Sequence, residues 1–293
     1  MRVLVLGASG MLGHRVVQRL WDDVEVWATV RAGGSRLPAE ILPDRSRLLE
    51  GVVAEDADSI LRAMEVSRAA AVVNCIGIVK QQPAATDPLI SVAVNSLLPH
   101  RVAELCRIGQ SRLIHLSTDC VFSGKKGNYG ENDPPDPDDL YGRTKLVGEV
   151  REGGALTLRT SMIGWQLSGS TGLLEWLSEN RHGATRGFRR AIFSGLSTAA
   201  LADVIAQLIQ EETPLTGLYH VSADPISKFD LLRDVVTTLG WPTTIEPVDE
   251  PVLDRSLDSS AFREKMGWKP PAWSDMIAGL AAERPAYERW RAP

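Results

Sequence analysis

An α/β fold with a doubly wound parallel sheet is predicted by two features of the chain. Short, nearly all-apolar runs alternate with longer amphipathic runs, and a glycine-rich turn follows the first apolar run directly. Strands that are buried on both faces of a parallel sheet have this apolar character, and their alternation with helices is typical of βαβ units. The predicted strands are Val3–Leu6, Val24–Val30, Ala70–Cys75, Arg112–Ser117 and Leu156–Arg159. The predicted helices are Leu12–Trp21, Ser59–Val66, Leu97–Arg107 and Tyr141–Val150. The pattern therefore indicates a Rossmann-type sheet.

After residue 160 the regular alternation of predicted strands and helices ends, and loops rich in Gly and Ser follow. The later predicted elements are helices at Leu173–Asn180, Thr198–Gln210 and Lys228–Leu239 and a strand at Leu218–Ser222, followed by proline-rich connections. We interpret residues 1–160, with elements that return at about 192–222, as the sheet domain. Residues 161–191 and 223–293 then form a smaller C-terminal lobe.

Composition excludes several classes of protein. The 293 residues are 44% apolar and 24% charged, and the net charge of -5 disfavours a nucleic-acid binder, which needs a basic surface. Cys75, Cys106 and Cys120 form no CxxC pair, so neither a zinc site nor a disulfide framework is predicted. No apolar stretch is long enough to span a membrane, and no secretion leader is recognisable. We expect a cytoplasmic protein.

The glycine-rich turn predicts a dinucleotide site. Gly7, Gly10 and Gly13 are spaced by three, follow a strand and open a helix, which is the context that gives such a pattern meaning. Glycines let the backbone turn tightly and approach a pyrophosphate, which then lies at the positive end of the helix. The predicted cofactor-binding residues of the turn are Gly7, Ser9, Gly10, Met11, Leu12 and Gly13. The alternative is a plain βα turn without a ligand.

The end of the second strand favours NADP over NAD. An NAD-selective site usually has an acidic residue there for the ribose 2'-hydroxyl, and this chain has Arg31, with Ser35 and Arg36 nearby. Arg31 is therefore predicted to pair with a 2'-phosphate, whereas the alternative is a solvated surface arginine. NAD remains open as the cofactor.

Tyr141 and Lys145 carry the predicted chemistry. Their spacing of four residues on a helix puts both side chains on one face. A nearby ammonium favours the phenolate and lowers the pKa of a phenol from its ordinary value of about 10. Tyr141 is then able to protonate a carbonyl oxygen as hydride reaches the carbon, while Lys145 tunes Tyr141 and holds the nicotinamide ribose. Because YxxxK patterns also arise by chance, exposed helix residues are the alternative.

Polar residues at the ends of the fourth and fifth strands complete the predicted site. Thr118 is chosen over Ser117 as the hydroxyl that bonds the same carbonyl oxygen, and a strand-end cap is the alternative. Asn95 comes just before the segment Leu97–Arg107 and is assigned to a helix, where Asn is a poor helix former, so a bonding role is expected. The further predicted cofactor-binding residues are Cys75, Ile76 and Gly77, which follow Asn74, together with Asn95, Tyr141 and Lys145.

The histidines and the acidic loop are less informative. His115 and His220 lie in strand patterns and are expected to be core or edge residues. The remaining histidines are expected on the surface, and no grouping suggests a metal; they are His14, His100 and His182. Asp139, at the end of a Pro- and Asp-rich loop, is predicted to cap the helix that carries Tyr141.

These motifs together resemble the extended short-chain dehydrogenase/reductases, and among them the dTDP-4-dehydrorhamnose reductase branch. The matching segments are 7–13, 117–124, 129–131, 141–145, 158–161 and 217–221. The resemblance implies a dinucleotide-binding sheet domain, a C-terminal substrate lobe and NADPH-dependent reduction of the 4-keto group of a nucleotide-linked 6-deoxyhexose. It implies catalytic roles for Thr118, Asp119, Tyr141 and Lys145. The substrate-binding residues that it implies are Thr118, Asp119, Val121, Phe122 and Arg255.

Several relatives of this family remain to be distinguished. Dehydratases have Thr-Asp-Glu where this chain has Thr118-Asp119-Cys120, so elimination of water is disfavoured. An epimerase and an NADP-binding regulatory subunit, like that of methionine adenosyltransferase, are the alternatives. The basic stretch 181–190, including Arg189, is interpreted either as a site for the substrate diphosphate or as a solvated loop. The sugar, the choice of dTDP or UDP, and a monomer or homodimer stay open.

Overall fold

A computed structural model describes residues 1–31 and 37–291 of the chain, so the predicted contributions of Ser35 and Arg36 lie outside the described residues. The chain divides into two compact units. The first unit contains Met1–Ser117, Asp139–Leu158 and Leu201–Leu218, and the second contains Thr118–Asp138, Arg159–Ala200 and Tyr219–Pro293.

Strands and helices follow each other in the predicted alternation. The strands of the described residues are β1 (Arg2–Leu6), β2 (Glu25–Val30), β3 (Leu48–Glu50), β4 (Ala71–Asn74), β5 (Arg112–Thr118), β6 (Leu156–Thr160), β7 (Met162–Ile163), β8 (Ala184–Phe188), β9 (Ala191–Phe193), β10 (Leu196–Ser197), β11 (Gly217–His220), β12 (Ile226–Ser227), β13 (Thr244–Val248) and β14 (Leu253–Asp254). The helices of the same residues are α1 (Gly13–Leu20), α2 (Ala57–Ser67), α3 (Pro88–Ser91), α4 (Leu98–Ile108), α5 (Leu140–Val147), α6 (Leu173–Glu179), α7 (Thr198–Gln210), α8 (Lys228–Leu239), α9 (Ser260–Met266) and α10 (Trp273–Arg291).

A parallel sheet organises the first unit and confirms the predicted fold class. Within the described residues it has seven strands in the order β11-β6-β5-β4-β1-β2-β3. The order reverses between β1 and β4, which is the switch point where parallel sheets of this class bind ligands at the carboxyl ends of their strands. The strand ends after Leu6 and Asn74 therefore lie side by side, since Leu6 pairs with Asn74.

Apolar burial explains why these segments are strands. Residues 3–6 of β1 and all four residues of β4 are buried, as expected when helices cover both faces of a sheet. Leu4 and Leu6 pack in one apolar cluster with Val72 of β4 and Leu98 of α4. The core of the first unit is thus formed by the same runs that predicted the sheet.

The second unit is built from short strands and aromatic side chains. Its three-stranded sheet has the order β12-β9-β14, and β8 pairs in parallel with β13. Phe122 stacks on Tyr129 with ring centroids 4.1 Å apart, and the ring centroids of Trp165 and Tyr287 of α10 are 6.2 Å apart. Helices α9 and α10 were not predicted. The middle of the basic stretch, residues 184–188, is strand β8 and not a loop.

Two sequence-based expectations for the first unit need correction. The helix predicted over Tyr141–Val150 ends at Val147, where Gly148 follows as its cap. His14, expected on the surface, is fully buried, and the carbonyl oxygen of Gly10 satisfies its ring nitrogen Nδ1 at 2.7 Å. The first turn of α1 therefore contains a buried imidazole at a position for which the sequence pattern predicts exposure to solvent.

Within residues 1–31 and 37–291, no helix is both long and apolar enough to cross a lipid bilayer.

Candidate active site

The glycine-rich turn has a geometry that only glycine satisfies at two positions. Gly7 has a φ of +81°, and a Cβ atom added to it would lie 3.0 Å from Cγ1 of Ile76. A Cβ atom on Gly13 would lie 2.1 Å from the carbonyl oxygen of Gly7, which is a severe clash. At Gly10 the added atom would meet only that same oxygen, at 3.2 Å. The turn is therefore tight inside and open at Gly10.

The amino end of α1 is suited to an anion. Leu12, at the cap position, makes no side-chain hydrogen bond to the helix, and the first turn contains no acidic residue. Free N–H groups and the positive end of the helix dipole attract negative charge. These features suit a pyrophosphate, and its binding at residues 7–13 stays a prediction.

The turn is anchored to the end of β2. The backbone N–H of Gly7 donates to Oγ1 of Thr29 (3.1 Å), and that of Ala8 donates to the Thr29 carbonyl (2.8 Å). Arg31 comes two residues later and is exposed. A cation therefore follows the strand that holds the glycine turn, and its pairing with a 2'-phosphate stays a prediction.

Two asparagines shape the loop after β4. The backbone N–H of Ile76 donates to Oδ1 of Asn74 (3.1 Å). Asn95 accepts from the N–H of Ile78 (2.9 Å) and donates to its carbonyl oxygen (3.0 Å). Asn95 thus has the bonding role expected for a buried Asn in a helix, and it clamps the loop that contains Cys75, Ile76 and Gly77. Direct contacts of these residues with a cofactor stay predictions.

Helix α5 presents Tyr141 and Lys145. Asp139 caps the helix as predicted, because its Oδ1 accepts from the N–H of Gly142 (2.8 Å). Lys145 is 5% exposed, and its Nζ donates to the carbonyl oxygen of Leu116 at 2.5 Å. Burial lowers the pKa of Lys145 to about 8, although Glu149 and Cys75 favour the charged form. Tyr141 lies in the first turn of α5 and is partly buried.

Ser117 and Thr118 have different environments. The hydroxyl of Ser117 donates to Oε1 of the buried Glu149 (2.9 Å). The hydroxyl of Thr118 donates to Oδ1 of Asp119 (3.2 Å) and accepts from the N–H of Cys120 (3.2 Å), which begins a 3-10 turn over residues 119–121. Ser117 belongs to the first unit with Tyr141 and Lys145, while Thr118 and Asp119 belong to the second.

Asp119 is a buried carboxylate on which two cations of the second unit act electrostatically. Burial raises the pKa of Asp119, while the charges of Lys228 and Arg255 oppose that rise. Arg255 contacts the same turn, since its Nε donates to the carbonyl oxygen of Phe122 (2.8 Å) and its Nη1 lies 3.6 Å from Sγ of Cys120. Arg255 was predicted at the substrate end, and the structure joins it to the Asp119 turn.

Val121 and Phe122 lie in the core of the second unit. Both side chains are fully buried, and the guanidinium of Arg159 lies 5.1 Å from the centroid of the Phe122 ring. They fix the turn that carries Asp119. Contact of these two residues with a substrate stays a prediction.

The buried histidines agree with the core role predicted for them. Nδ1 of His115 lies 3.2 Å from Nδ2 of Asn74, and Nδ1 of His220 lies 2.9 Å from the carbonyl oxygen of Tyr129. In the described part of the chain, no group of three His, Cys, Asp or Glu residues has the arrangement of a metal site.

Arg189 follows β8 and is paired. Its Nε and Nη2 donate to the two carboxylate oxygens of Asp249, at 2.9 and 3.1 Å. The pair is about half exposed on both sides. Any phosphate that Arg189 binds therefore competes with Asp249 for its guanidinium.

Sequence reasoning missed Lys228. This residue begins α8, where Ser227 caps the helix by accepting from the N–H of Asp230 (2.9 Å). Its Nζ lies 3.8 Å from the centroid of the Phe193 ring, and burial lowers its pKa while Asp119 and Cys120 raise it. A signal was available, because a lysine in the first turn of a helix opposes the helix dipole and calls for another reason to be there.

Comparison with known proteins assigns the family. Residues 1–284 match the family described as RmlD substrate binding domain. The chain belongs to this family. It is 34% identical over 305 residues to a probable dTDP-4,6-dihydroxy-2-methyloxan-3-one 4-ketoreductase of Streptomyces antibioticus, with 99% of this chain and 88% of that protein covered. It is also 28% identical over 257 residues to methionine adenosyltransferase 2 subunit beta of Danio rerio, with 83% and 75% covered.

A solved structure shows the same fold as this RmlD-family chain. The dTDP-4-dehydrorhamnose reductase of Bacillus anthracis str. Ames, in complex with NADP, superposes with a TM-score of 0.80 and 19% sequence identity. The superposition covers 96% of this chain and 99% of that one. The architecture predicted from sequence is therefore that of a solved nucleotide-sugar reductase.

Proposed function

We propose that this chain is an NADPH-dependent reductase of the 4-keto group of a nucleotide-linked 4-keto-6-deoxyhexose. The observation that carries the proposal is the buried Lys145 ammonium four residues after Tyr141 on α5. It occurs in a chain that is 34% identical over 99% of its length to a probable sugar-nucleotide 4-ketoreductase. The sheet domain, residues 1–160 with the returning elements, would bind the dinucleotide, and residues 161–191 and 223–293 would form the substrate lobe.

The glycine turn fits the cofactor. Its residues leave the backbone open at Gly10 and the first N–H groups of α1 without side-chain caps. We assign the pyrophosphate to residues 7–13, the adenosine 2'-phosphate to Arg31, and the nicotinamide end to residues 75–77 and Asn95. When bound, NADPH supplies a hydride to the keto carbon, and NAD(H) is the second choice of cofactor.

The role of Tyr141 is to give a proton to the keto oxygen, so that carbonyl plus hydride plus proton yields an alcohol. Lys145 favours this role because an ammonium stabilises the phenolate that remains. The hydrogen bond from Lys145 Nζ to the carbonyl oxygen of Leu116, a residue of β5, holds the ammonium in one position. Proton transfer by a positioned side chain contributes about 10²–10⁴-fold to a rate.

Thr118 and Asp119 are assigned to the substrate. We keep Thr118 as the donor to the keto oxygen, because its 3.2 Å hydrogen bond to Asp119 is longer than the 2.9 Å bond from Ser117 to the buried Glu149. Thr118 would exchange its bond to Asp119 for one to the substrate. Asp119 and Arg255 would face the sugar, Val121 and Phe122 would shape that end, and Arg189 would meet the diphosphate. The position of Cys120 after Asp119 supports reduction over dehydration, because a thiol whose pKa burial raises to about 12 is no acid–base partner for elimination.

The experiment is a turnover assay with purified protein. NADPH oxidation is followed with dTDP-linked and UDP-linked 4-keto-6-deoxyhexoses, and the product is identified by a mass gain of two hydrogen atoms. We expect turnover with at least one of these substrates and faster oxidation of NADPH than of NADH. Tight binding of NADPH without turnover on any of them would favour the regulatory-subunit alternative. Exchange at the sugar without net oxidation would favour an epimerase.

A further inference from the structure

The second unit contains a lysine for which the reaction scheme has no role. Lys228 is partly buried at the start of α8, and its Nζ lies 3.8 Å from the centroid of the Phe193 ring. Within residues 1–31 and 37–291, its ammonium has neither a hydrogen bond nor an ion pair. The face of the Phe193 ring compensates the ammonium only in part for its withdrawal from water, because none of its three N–H donors has an acceptor in the described residues, and its position against the helix dipole adds to the cost. A residue kept under such conditions is a candidate for ligand binding.

Lys228 and the Asp119 turn adjoin the same small sheet of the second unit. Strand β12 pairs with β9 in the antiparallel sense and β14 pairs with it in the parallel sense, so Lys228 follows a strand on one side of β9 and Arg255 follows a strand on the other. Arg255 contacts the turn through Phe122 and Cys120. Lys228 acts on Asp119 and Cys120 through space, and it does not form an ion pair with Asp119.

A carboxylate and an ammonium that influence each other without forming an ion pair can bind one polar group jointly. A carboxylate only accepts hydrogen bonds and an ammonium only donates them, whereas a hydroxyl does both. A sugar hydroxyl placed between the two groups would donate to Asp119 and accept from Lys228. A phosphate fits less well, because Asp119 would repel it. The Phe193 ring leaves only part of the space around the ammonium available to a polar ligand.

We propose that Lys228 is a further substrate-binding residue, and that it and Asp119 together bind one hydroxyl group of the sugar. This inference rests on the proposed function for the identity of the ligand as a sugar nucleotide. It makes Lys228 a determinant of which sugar is accepted, because a sugar without that hydroxyl leaves both charged groups unpaired.

The test compares two probes by calorimetry on the full chain, dTDP and dTDP-rhamnose. The wild type should bind dTDP-rhamnose more tightly than dTDP. Lys228→Met should lose about 10- to 100-fold in affinity for dTDP-rhamnose, the usual range for a hydrogen bond to a charged group, and keep its dTDP affinity within about twofold. Lys269→Met, at an exposed lysine of the same unit, is the matched control and should change neither affinity.

A double-mutant cycle adds an independent measurement. If Asp119 and Lys228 share one hydroxyl, Asp119→Asn with Lys228→Met should lose less affinity for dTDP-rhamnose than the two single losses combined. Thermal unfolding of each variant checks the fold, and Lys228→Gln replaces Lys228→Met if the latter is unfolded.

The outcomes separate the inference from the function. Equal losses for dTDP and dTDP-rhamnose would make Lys228 a phosphate ligand and overturn the hydroxyl assignment. If Lys228→Met and Lys228→Gln both bind the two probes as the wild type does, Lys228 is not a substrate-binding residue. The proposed reductase function is not affected by that result. A wild type without turnover that still shows the sugar-dependent loss would reject the reductase and keep the inference.

Discussion

Two lysines, one in each unit, are withdrawn from solvent in different ways. Lys145 is almost fully buried, and its Nζ donates to the Leu116 carbonyl at 2.5 Å. Lys228 lies over the Phe193 ring, and within the described residues it has no hydrogen-bond or ion-pair partner. Burial lowers the pKa of both groups. The Lys145 ammonium donates to a backbone acceptor, whereas the N–H donors of Lys228 have no acceptor among the described residues.

This difference teaches how to assign roles to buried cations. A partner within the protein fixes the position of Lys145, which suits a group that tunes the neighbouring phenol. An ammonium without such a partner costs stability unless a ligand supplies the missing acceptor. Arg189 resembles Lys145 in this respect, because its guanidinium already donates to both carboxylate oxygens of Asp249.

The largest expected effect comes from removing the phenol that Lys145 is proposed to serve. Tyr141→Phe should lower kcat by about 10²–10⁴-fold, because the proton donor is lost, and should leave the Kd for NADPH nearly unchanged. Single-turnover reduction and cofactor titration measure the two quantities. Near wild-type rates in this variant would mean that Tyr141 is not the proton donor.

Lys145→Ala is expected to weaken both chemistry and cofactor binding. The variant removes the ammonium that tunes Tyr141 and the donor assigned to the nicotinamide ribose, so kcat should fall by about 10²-fold or more and the Kd for NADPH should rise. Arg107→Ala is the control, since Arg107 is an exposed cation of the same unit, paired with Glu104. If kcat falls and the Kd for NADPH does not change, Lys145 tunes Tyr141 but does not hold the nicotinamide ribose.

The lowered pKa of Lys145 predicts a pH dependence. Because the pKa is lowered to about 8, the ammonium is present below that pH and is lost as the pH rises through it. The kcat/KM for reduction should therefore decline above about pH 8, where a free lysine of pKa about 10.4 would still be charged. Lys145→Arg, which stays charged, should move the decline to higher pH. An unmoved decline in a folded Lys145→Arg variant would assign it to another group.

The sequence predicted the parallel sheet and the glycine turn because both depend on local patterns. An apolar run such as Val3–Leu6 is stable only when it is buried, and the turn needs glycine because Gly7 has a positive φ and a Cβ atom on Gly13 would clash with the Gly7 carbonyl. Strands of two or three residues in the second unit, such as Leu253–Asp254, carry no such pattern, since their pairing partners are distant in the chain.

Burial of polar groups was the least predictable property. The buried His14 has the carbonyl oxygen of Gly10 as its partner, and Lys228 lies over Phe193, whose strand β9 pairs with β12. Neither neighbour is visible from periodicity. Helix α10 was missed for a related reason, since Pro285 and several charged residues interrupt its apolar positions.

Arg31 extends the comparison to an exposed cation. Arg31→Ala should weaken NADPH binding by about 10-fold, because one charge-assisted hydrogen bond at the surface is lost, and should leave the affinity for NADH nearly unchanged. Titration with both cofactors at two salt concentrations measures the effect, which should shrink as salt rises. Equal losses for NADPH and NADH would remove the 2'-phosphate assignment.

The smallest expected effect belongs to Arg189, because its charge is already paired. An exposed ion pair is worth about 0–1 kcal/mol, so exchanging Asp249 for a phosphate yields little net affinity. Arg189→Ala should weaken dTDP binding by only about threefold. Asp249→Asn should have the opposite sign and strengthen it, since the guanidinium no longer has a competing carboxylate. Because the two substitutions change the charge near the site in opposite directions, the affinity of each is measured at low and at high salt. If both leave dTDP affinity unchanged, the basic stretch is a solvated strand edge, and the diphosphate has to be bound by other residues.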